Sequence, residues 1–187
     1  MREHKVKVMI PQAEVESRIR ELAEEINRDY GNKPLHLVGI LKGSVPFLWS
    51  LSRYLRMPVT MDFMSCSSYG AGTSSTGVVR LTKDLDESIN GRNVLIVEDI
   101  IDSGHTLSYL VKLIKARQPA SLRLATLLDK PSRRIVKDVF VNYTCFQIPD
   151  EFVVGYGLDY DQMYRNLPYI GYIEFTDGES ESGGEKA

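Results

Sequence analysis

The chain has 187 residues, 43% of them hydrophobic and 26% charged, and its 23 basic and 25 acidic side chains leave a net charge of −2. A chain this long buries about 70% of its unfolded surface, so it needs neither a disulfide framework nor a structural metal. The balanced charge argues against a general nucleic-acid binder, and 14 glycines with 8 prolines exclude collagen-like and low-complexity chains.

Residues 11–29 read as an amphipathic helix, with Val15, Ile19, Leu22, Ala23 and Ile26 at helical spacing and Pro11 suited to a first turn. Gly31, Asn32 and Pro34 end it. Leu35 to Leu41 is an apolar run of strand length. Pro46 to Leu55 reads as a helix with Phe47, Leu48, Leu51 and Leu55 on one side. Val59 to Met64 alternates as a strand, and SCSSYGAGTSSTG (65–77) reads as a loop of small polar residues and glycines. A strand restarts at Val78 to Leu81, and Asn90-Gly91 signals a turn. Val94 to Val97 is wholly apolar, which suits a strand buried on both faces of a parallel sheet. Leu107, Leu110, Val111 and Ile114 form the next helix face. Further strands are expected at 122–128, 140–148, 152–154 and 169–175.

Strands alternating with helices imply an α/β fold with a mostly parallel central sheet flanked by helices. At roughly 150 residues per domain, a single domain over 1–176 is expected. The tail 177–187, DGESESGGEKA, has almost no apolar side chain and is expected to be disordered. Cys66 and Cys145 read as two reduced thiols. The first residues, MREHKVKVMIP, contain no apolar signal core, and no run approaches the roughly 18 apolar residues of a membrane span. A cytoplasmic protein without a membrane partner is expected. No HExxH or CxxC spacing suggests zinc.

The segment VLIVEDIIDSGHTL (94–107) carries the chemistry. A buried strand runs into two adjacent carboxylates, Glu98 and Asp99. The loop Asp102-Ser103-Gly104-His105-Thr106 follows, and then a helix begins. Ligands of open parallel sheets bind outside the carboxyl ends of strands, where this loop must lie. Two hydroxyls, a glycine that admits close backbone approach and the unpaired N–H groups of a helix start together make a monophosphate cradle. Carboxylates beside it suit a ligand that also carries a sugar diol or a divalent cation. The plainer alternative is that Asp102 and Ser103 merely cap the helix while Glu98 and Asp99 form a solvated strand end.

The whole segment resembles the phosphoribosyl-pyrophosphate signature of the type I phosphoribosyltransferases. LKGS (41–44), SSYG (67–70), LLDKPSRR (127–134), IPDEFVVGYGLDYD (148–161) and YRNLPYIG (164–171) narrow the resemblance to 6-oxopurine phosphoribosyltransferases of the hypoxanthine type. The motifs stand in that family's order across residues 5–175.

The resemblance implies a small hood built from the chain ends over the central sheet, and a role for each matching residue. Glu98 and Asp99 would hold the ribose hydroxyls, residues 102–106 the 5′-phosphate, and Asp102 would lie near N7 of the purine as general base or hydrogen-bond partner. Lys42 and Gly43 would form a pyrophosphate loop, in which relatives often carry a cis peptide, and Arg165 would contact the pyrophosphate. Lys130 would donate to O6 of the base, Phe152 would stack on the ring, and Val153 and Asp159 would meet the far edge. Glu98, Asp99 and Asp159 are the metal candidates, for Mg2+. His105 stands where relatives often carry Lys or Asn and receives only backbone contacts to the phosphate. On residue type alone, Phe152 reads as core, and Lys130, Arg133, Arg134 and Lys137 as a solvated basic face. The loop 65–77 matches a mobile lid whose Ser68 and Tyr69 would settle over the pyrophosphate.

The activity implied is transfer of a 5-phosphoribosyl group from phosphoribosyl pyrophosphate to N9 of hypoxanthine or guanine, giving IMP or GMP and pyrophosphate in purine salvage. The motifs do not rank hypoxanthine, guanine and xanthine. A homodimer or homotetramer is implied. A regulator on the same fold, sensing phosphoribosyl pyrophosphate and binding RNA, is the alternative; the net charge and the intact segment 148–165 weigh against it.

Overall fold

The computed structural model describes residues 2–68 and 79–176. In chain order the elements are β1 (His4–Ile10), α1 (Gln12–Tyr30), β2 (Leu35–Leu41), α2 (Val45–Ser52), β3 (Val59–Ser68), β4 (Val79–Lys83), β5 (Asn93–Ile101), α3 (His105–Lys115), β6 (Ser121–Asp129), β7 (Tyr143–Gln147), β8 (Val153–Val154) and β9 (Ile170–Phe175). Among the described residues no helix is long and apolar enough to cross a membrane.

The main sheet has the order β4-β3-β2-β5-β6-β7. Strands β3, β2, β5, β6 and β7 run parallel, and β4 adds an antiparallel edge. The apolar runs of β2 and β5 lie in its centre and are buried on both faces. One face carries α1 and α2, which press Val15, Ile19, Leu22, Ile26, Phe47 and Leu51 onto Leu37, Leu95 and Val97. The other carries α3, whose Leu107, Leu110 and Ile114 meet Val38, Val94 and Ile96. Each such large apolar side chain contributes roughly 1.5–3 kcal/mol on burial. A second sheet, β1-β9-β8, is antiparallel and joins the two chain ends, as the implied hood requires.

Several boundaries differ from the sequence reading. The segment 65–68 continues β3, because its polar residues ladder with β4 (Cys66 opposite Leu81, Ser67 opposite Arg80) and a ladder asks only for backbone groups. Strand β5 runs on through Glu98 and Asp99 to Ile101, since β6 pairs with it as far as Asp129. Strand β1 has no counterpart in the sequence reading. It lies at the edge of the small sheet with Val8 53% exposed, so its lysines and valines show no buried face. Pro11 stands just outside α1 as its N-cap. Helix α2 closes at Ser52, short of Leu55.

One buried carboxylate fixes the crossing from β3 to the loop after β4. Asp62 is 5% exposed. It accepts from the backbone N–H of Phe63 at 2.6 Å and of Asp86 at 2.7 Å, with Lys83 Nζ at 3.5 Å. Burial alone would raise its pKa; these partners outweigh it and hold Asp62 below the usual carboxylate range. A depressed folded pKa contributes stability that is present above the unfolded value and lost as pH falls through the folded one. Asp62→Asn should therefore cost about 1.5–3 kcal/mol near neutral pH, the worth of hydrogen bonds to a charged group. Urea unfolding checks this, and the gap from wild type should close below roughly pH 4.

Candidate active site

The site forms at the carboxyl ends of β2, β5 and β6. Where β5 stops, Gly104 turns with φ +88°, a left-handed conformation that side chains disfavour, and α3 begins at His105. No side chain caps α3, and its first turn holds no acidic residue. Asp102 and Ser103 are thus not caps, and the helix-start N–H groups stay available to an anion. They face a cavity of about 160 Å³ lined by Glu98, Asp102, Ser103, Gly104 and Thr106 with Ile100, Ile101 and Leu107. His105 is not among its walls.

Glu98 is 8% exposed beside Asp99. Burial first, and the neighbouring charge of Asp99 second, push Glu98 well above the ordinary glutamate range. Asp99 is raised by burial as well, although its Oδ1 accepts from the Ile100 N–H at 2.7 Å. A Cβ on Gly43 would overlap the Asp99 carboxylate, so only glycine fits there. The cis peptide of this turn is Leu41–Lys42, one bond before Lys42-Gly43. Lys42 Nζ donates to Gln162 Oε1 at 3.3 Å.

A second cavity of about 470 Å³ is lined by Ile100, Asp102, Lys130, Arg133, Asp150, Glu151, Phe152, Val153 and Leu158. Asp102 and Ile100 belong to both cavities, so one carboxylate faces two adjoining compartments. Lys130 is only 7% exposed and donates through Nζ to the Glu151 carbonyl at 2.6 Å. It is not part of a solvated basic face, whereas Arg133 and Lys137 are exposed as that reading expects and Arg134 is half-buried. Arg133 Nε donates to Asp102 Oδ1 at 3.0 Å, and Arg134 bridges to Asp129 at 2.5 Å. Phe152, read from its residue type as core, is 47% exposed on the cavity wall. Tyr160 braces it edge-on, with ring centroids 5.4 Å apart.

Asp159 lies outside both cavity walls and pairs with Arg165 at 2.7 Å; Arg165 also donates to the Gly157 carbonyl at 2.8 Å. Glu98, Asp99 and Asp159 do not gather into one cluster, and no group of three metal-ligating side chains occurs among the described residues. The adjacent carboxyls of Glu98 and Asp99 still offer oxygen donors of the kind a hard cation takes. Of the expected lid, 65–68 end β3, and Tyr69 and the rest lie outside the described residues. The place of Arg133 on the second cavity wall was not visible in the sequence: its one signal, proximity to Lys130, reads equally well as a charge run.

A model of the phosphoribosyl transferase domain matches residues 11–161. The chain belongs to this family. It is 53% identical over 176 residues to the hypoxanthine phosphoribosyltransferase of Salmonella typhimurium, covering 93% of this chain and 98% of that one. It is 46% identical over 168 residues to the hypoxanthine-guanine phosphoribosyltransferase of Streptococcus thermophilus, covering 90% and 93%. A crystal structure of a hypoxanthine-guanine phosphoribosyltransferase from Bacillus anthracis superposes with a TM-score of 0.85 at 46% identity, over 91% of this chain and 99% of that one. The type I phosphoribosyltransferase architecture, central parallel sheet and hood together, is thereby established for this transferase.

The raised Glu98 carboxyl carries a stability signature. A folded pKa above the unfolded value gives stability that is complete below the unfolded pKa, near 4.5, and is lost as pH rises through the folded one. Glu98→Gln removes that loss. The ligand-free variant should melt above wild type at pH 8, by about 2–4 °C for each kcal/mol of burial penalty removed. The difference should vanish near pH 4.5 in a thermal scan series, and ribose-phosphate affinity should fall at every pH.

Proposed function

We propose that this enzyme transfers the 5-phosphoribosyl group of phosphoribosyl pyrophosphate to N9 of hypoxanthine or guanine, releasing pyrophosphate and IMP or GMP. The observation that carries the reading is the carboxylate of Asp102 between an anion cradle and a cavity with a buried lysine. A sugar phosphate held by the start of α3 places its C1′ toward the second compartment. The base lies there with O6 at Lys130, its ring on Phe152 and its far edge at Val153. N9 attacks C1′, the bond from C1′ to the pyrophosphate oxygen breaks, and Asp102 takes the N7 proton. Glu98 and Asp99 accept hydrogen bonds from the ribose hydroxyls.

Mg2+ fits the reading, because two buried carboxylates without a cationic partner meet substrate oxygens there. Glu98 and Asp99 would hold it, with Asp159 as a more distant ligand, and when bound it neutralises charge on the leaving pyrophosphate. Lys42, Gly43 and Arg165 frame the pyrophosphate side. Ser68 and Tyr69, at the root of the lid, would close over it and exclude the water that captures an oxocarbenium-like transition state. The setting we infer is purine salvage in the cytoplasm, by a homodimer or homotetramer of one transferase domain over 1–176, with 177–187 as a tail.

Two variants test the reading. Asp102→Asn should lower kcat by about 10²–10⁴. It should leave phosphoribosyl pyrophosphate affinity nearly unchanged, and a loss under about threefold ends the base role. Lysine has three donors and no acceptor, so Lys130 matches a 6-oxo group and opposes the 6-amino group of adenine. A buried donor that loses its partner rejects the wrong base by about 10⁴ or more. Wild type should therefore use hypoxanthine or guanine and almost no adenine. Lys130→Met should lose oxopurine kcat/KM while still binding the sugar phosphate, and an unchanged value refutes the assignment.

A further inference from the structure

The segment that follows β6 grips three consecutive residues of the phosphate loop. Arg133 Nε donates to Asp102 Oδ1 at 3.0 Å. The N–H groups of Ile135 and Val136 both donate to the Ser103 carbonyl, at 3.1 and 3.0 Å. At Gly104 a Cβ would come within 3.3 Å of both Arg134 Cδ and the Val136 carbonyl oxygen. The same segment starts at Lys130, whose N–H is fixed to the Ile101 carbonyl at 2.9 Å, and turns through a short 3-10 helix at Pro131–Arg133. The wall of one compartment and the floor of the other are therefore one mechanical unit.

Asp102 needs such a hold. Its side chain is 45% exposed, and an exposed carboxylate samples several rotamers unless something fixes it. Proton transfer demands hydrogen-bond geometry to one particular atom. Arg133 occupies Oδ1, while Oδ2 has no hydrogen-bond partner among the described residues. Arg133 Nη1 also reaches Asp150 Oδ2 at 3.7 Å, so the guanidinium is steadied from the opposite wall. A planar fork can engage two carboxylates at once; a lysine cannot do so with the same geometry. An ion pair this exposed adds little to fold stability. Its value lies in orientation.

We propose that Arg133 is a positioning residue for the transfer: it holds Asp102 by Oδ1 and leaves Oδ2 aimed at the N7 edge of the bound base. The inference rests on Asp102 as proton acceptor. Arg133 touches no reacting atom itself. The opposite reading makes the same pair a latch that competes with the base and must open before it binds. The two differ in sign, since a latch raises the base KM and a positioner raises kcat.

The test is steady-state kinetics with hypoxanthine on wild type, Arg133→Ala, Arg133→Lys, Asp102→Asn and the Arg133→Ala/Asp102→Asn double variant. Arg133→Ala should lower kcat about three- to tenfold, with both KM values within about twofold, the pattern of an interaction made only in the transition state. In the Asp102→Asn background the same change should alter kcat by less than about 1.5-fold, because its route of action is already gone. Arg133→Lys should recover part of the loss, and it gives the same split if the alanine variant loosens the loop. Equal kcat losses in both backgrounds, no loss at all, or a lowered base KM at unchanged kcat overturns the proposal. An Asp102→Asn variant as fast as wild type removes the base role instead and the positioning role with it, a result distinct from additivity.

Discussion

The packing of the Asp99 carboxylate onto the backbone of Gly43 governs how the active site is assembled. It welds the ends of β2 and β5 together at a distance that excludes any side chain. The hood loop docks on the same point, since a Cβ on Gly157 would overlap the Gly43 carbonyl. Three separate stretches of chain thus meet backbone to backbone or backbone to carboxylate, with no compliant side chain between them. That contact sets where the hood sits over the sheet. It also explains why the hood loop tolerates Tyr156, Asp161, Gln162 and Tyr164 at φ 49°, 51°, 66° and 76°. Each costs on the order of 1–3 kcal/mol and is offset by cross-loop bonds such as Tyr156 N–H to Leu167 O at 2.9 Å and Gly157 N–H to Arg165 O at 3.0 Å.

The doubly covered sheet makes that rigidity possible. Leu95, Ile96 and Val97 are 0% exposed, and the chain that leaves them delivers Glu98 and Asp99 with little freedom. In a close-packed interior a displaced strand end would open voids on both faces. The site therefore borrows its precision from the two apolar clusters on either side of β5, while only the phosphate loop and the segment after β6 supply local order of their own.

The strands and helices that bury a full face were legible, because apolar periodicity reports burial directly. Val94 to Val97 and the Ile19-to-Ile26 face of α1 are examples. What periodicity could not show was structure held by backbone groups alone. Ser65 to Ser68 look like loop and are ladder; the alternating β1 has no buried face to announce it. The turn from β5 into α3 was legible because a strand end, a glycine and a helix start occur in one unbroken stretch. The second cavity was not legible from residue patterns, since Lys130 comes from the end of β6 and Phe152 and Val153 from a segment about twenty residues on, and the burial of a lysine is a tertiary fact. Nor could spacing tell that Asp159 pairs with Arg165.

The electrostatics of the site divide its acids into two kinds. Asp102 is paired with Arg133 at 3.0 Å, Asp129 with Arg134 at 2.5 Å, Asp150 with Lys130 at 3.6 Å and Asp159 with Arg165 at 2.7 Å. Glu98 and Asp99 alone of these acids have no ion-pair partner among the described residues, and they are the ones whose carboxyls burial raises. An uncompensated buried carboxylate is costly until something neutralises it or donates to it. Glu98 and Asp99 are therefore the pair that a hydrogen-bond donor or a cation would stabilise most, the Arg165 charge already offsetting part of the effect of burial at Asp99.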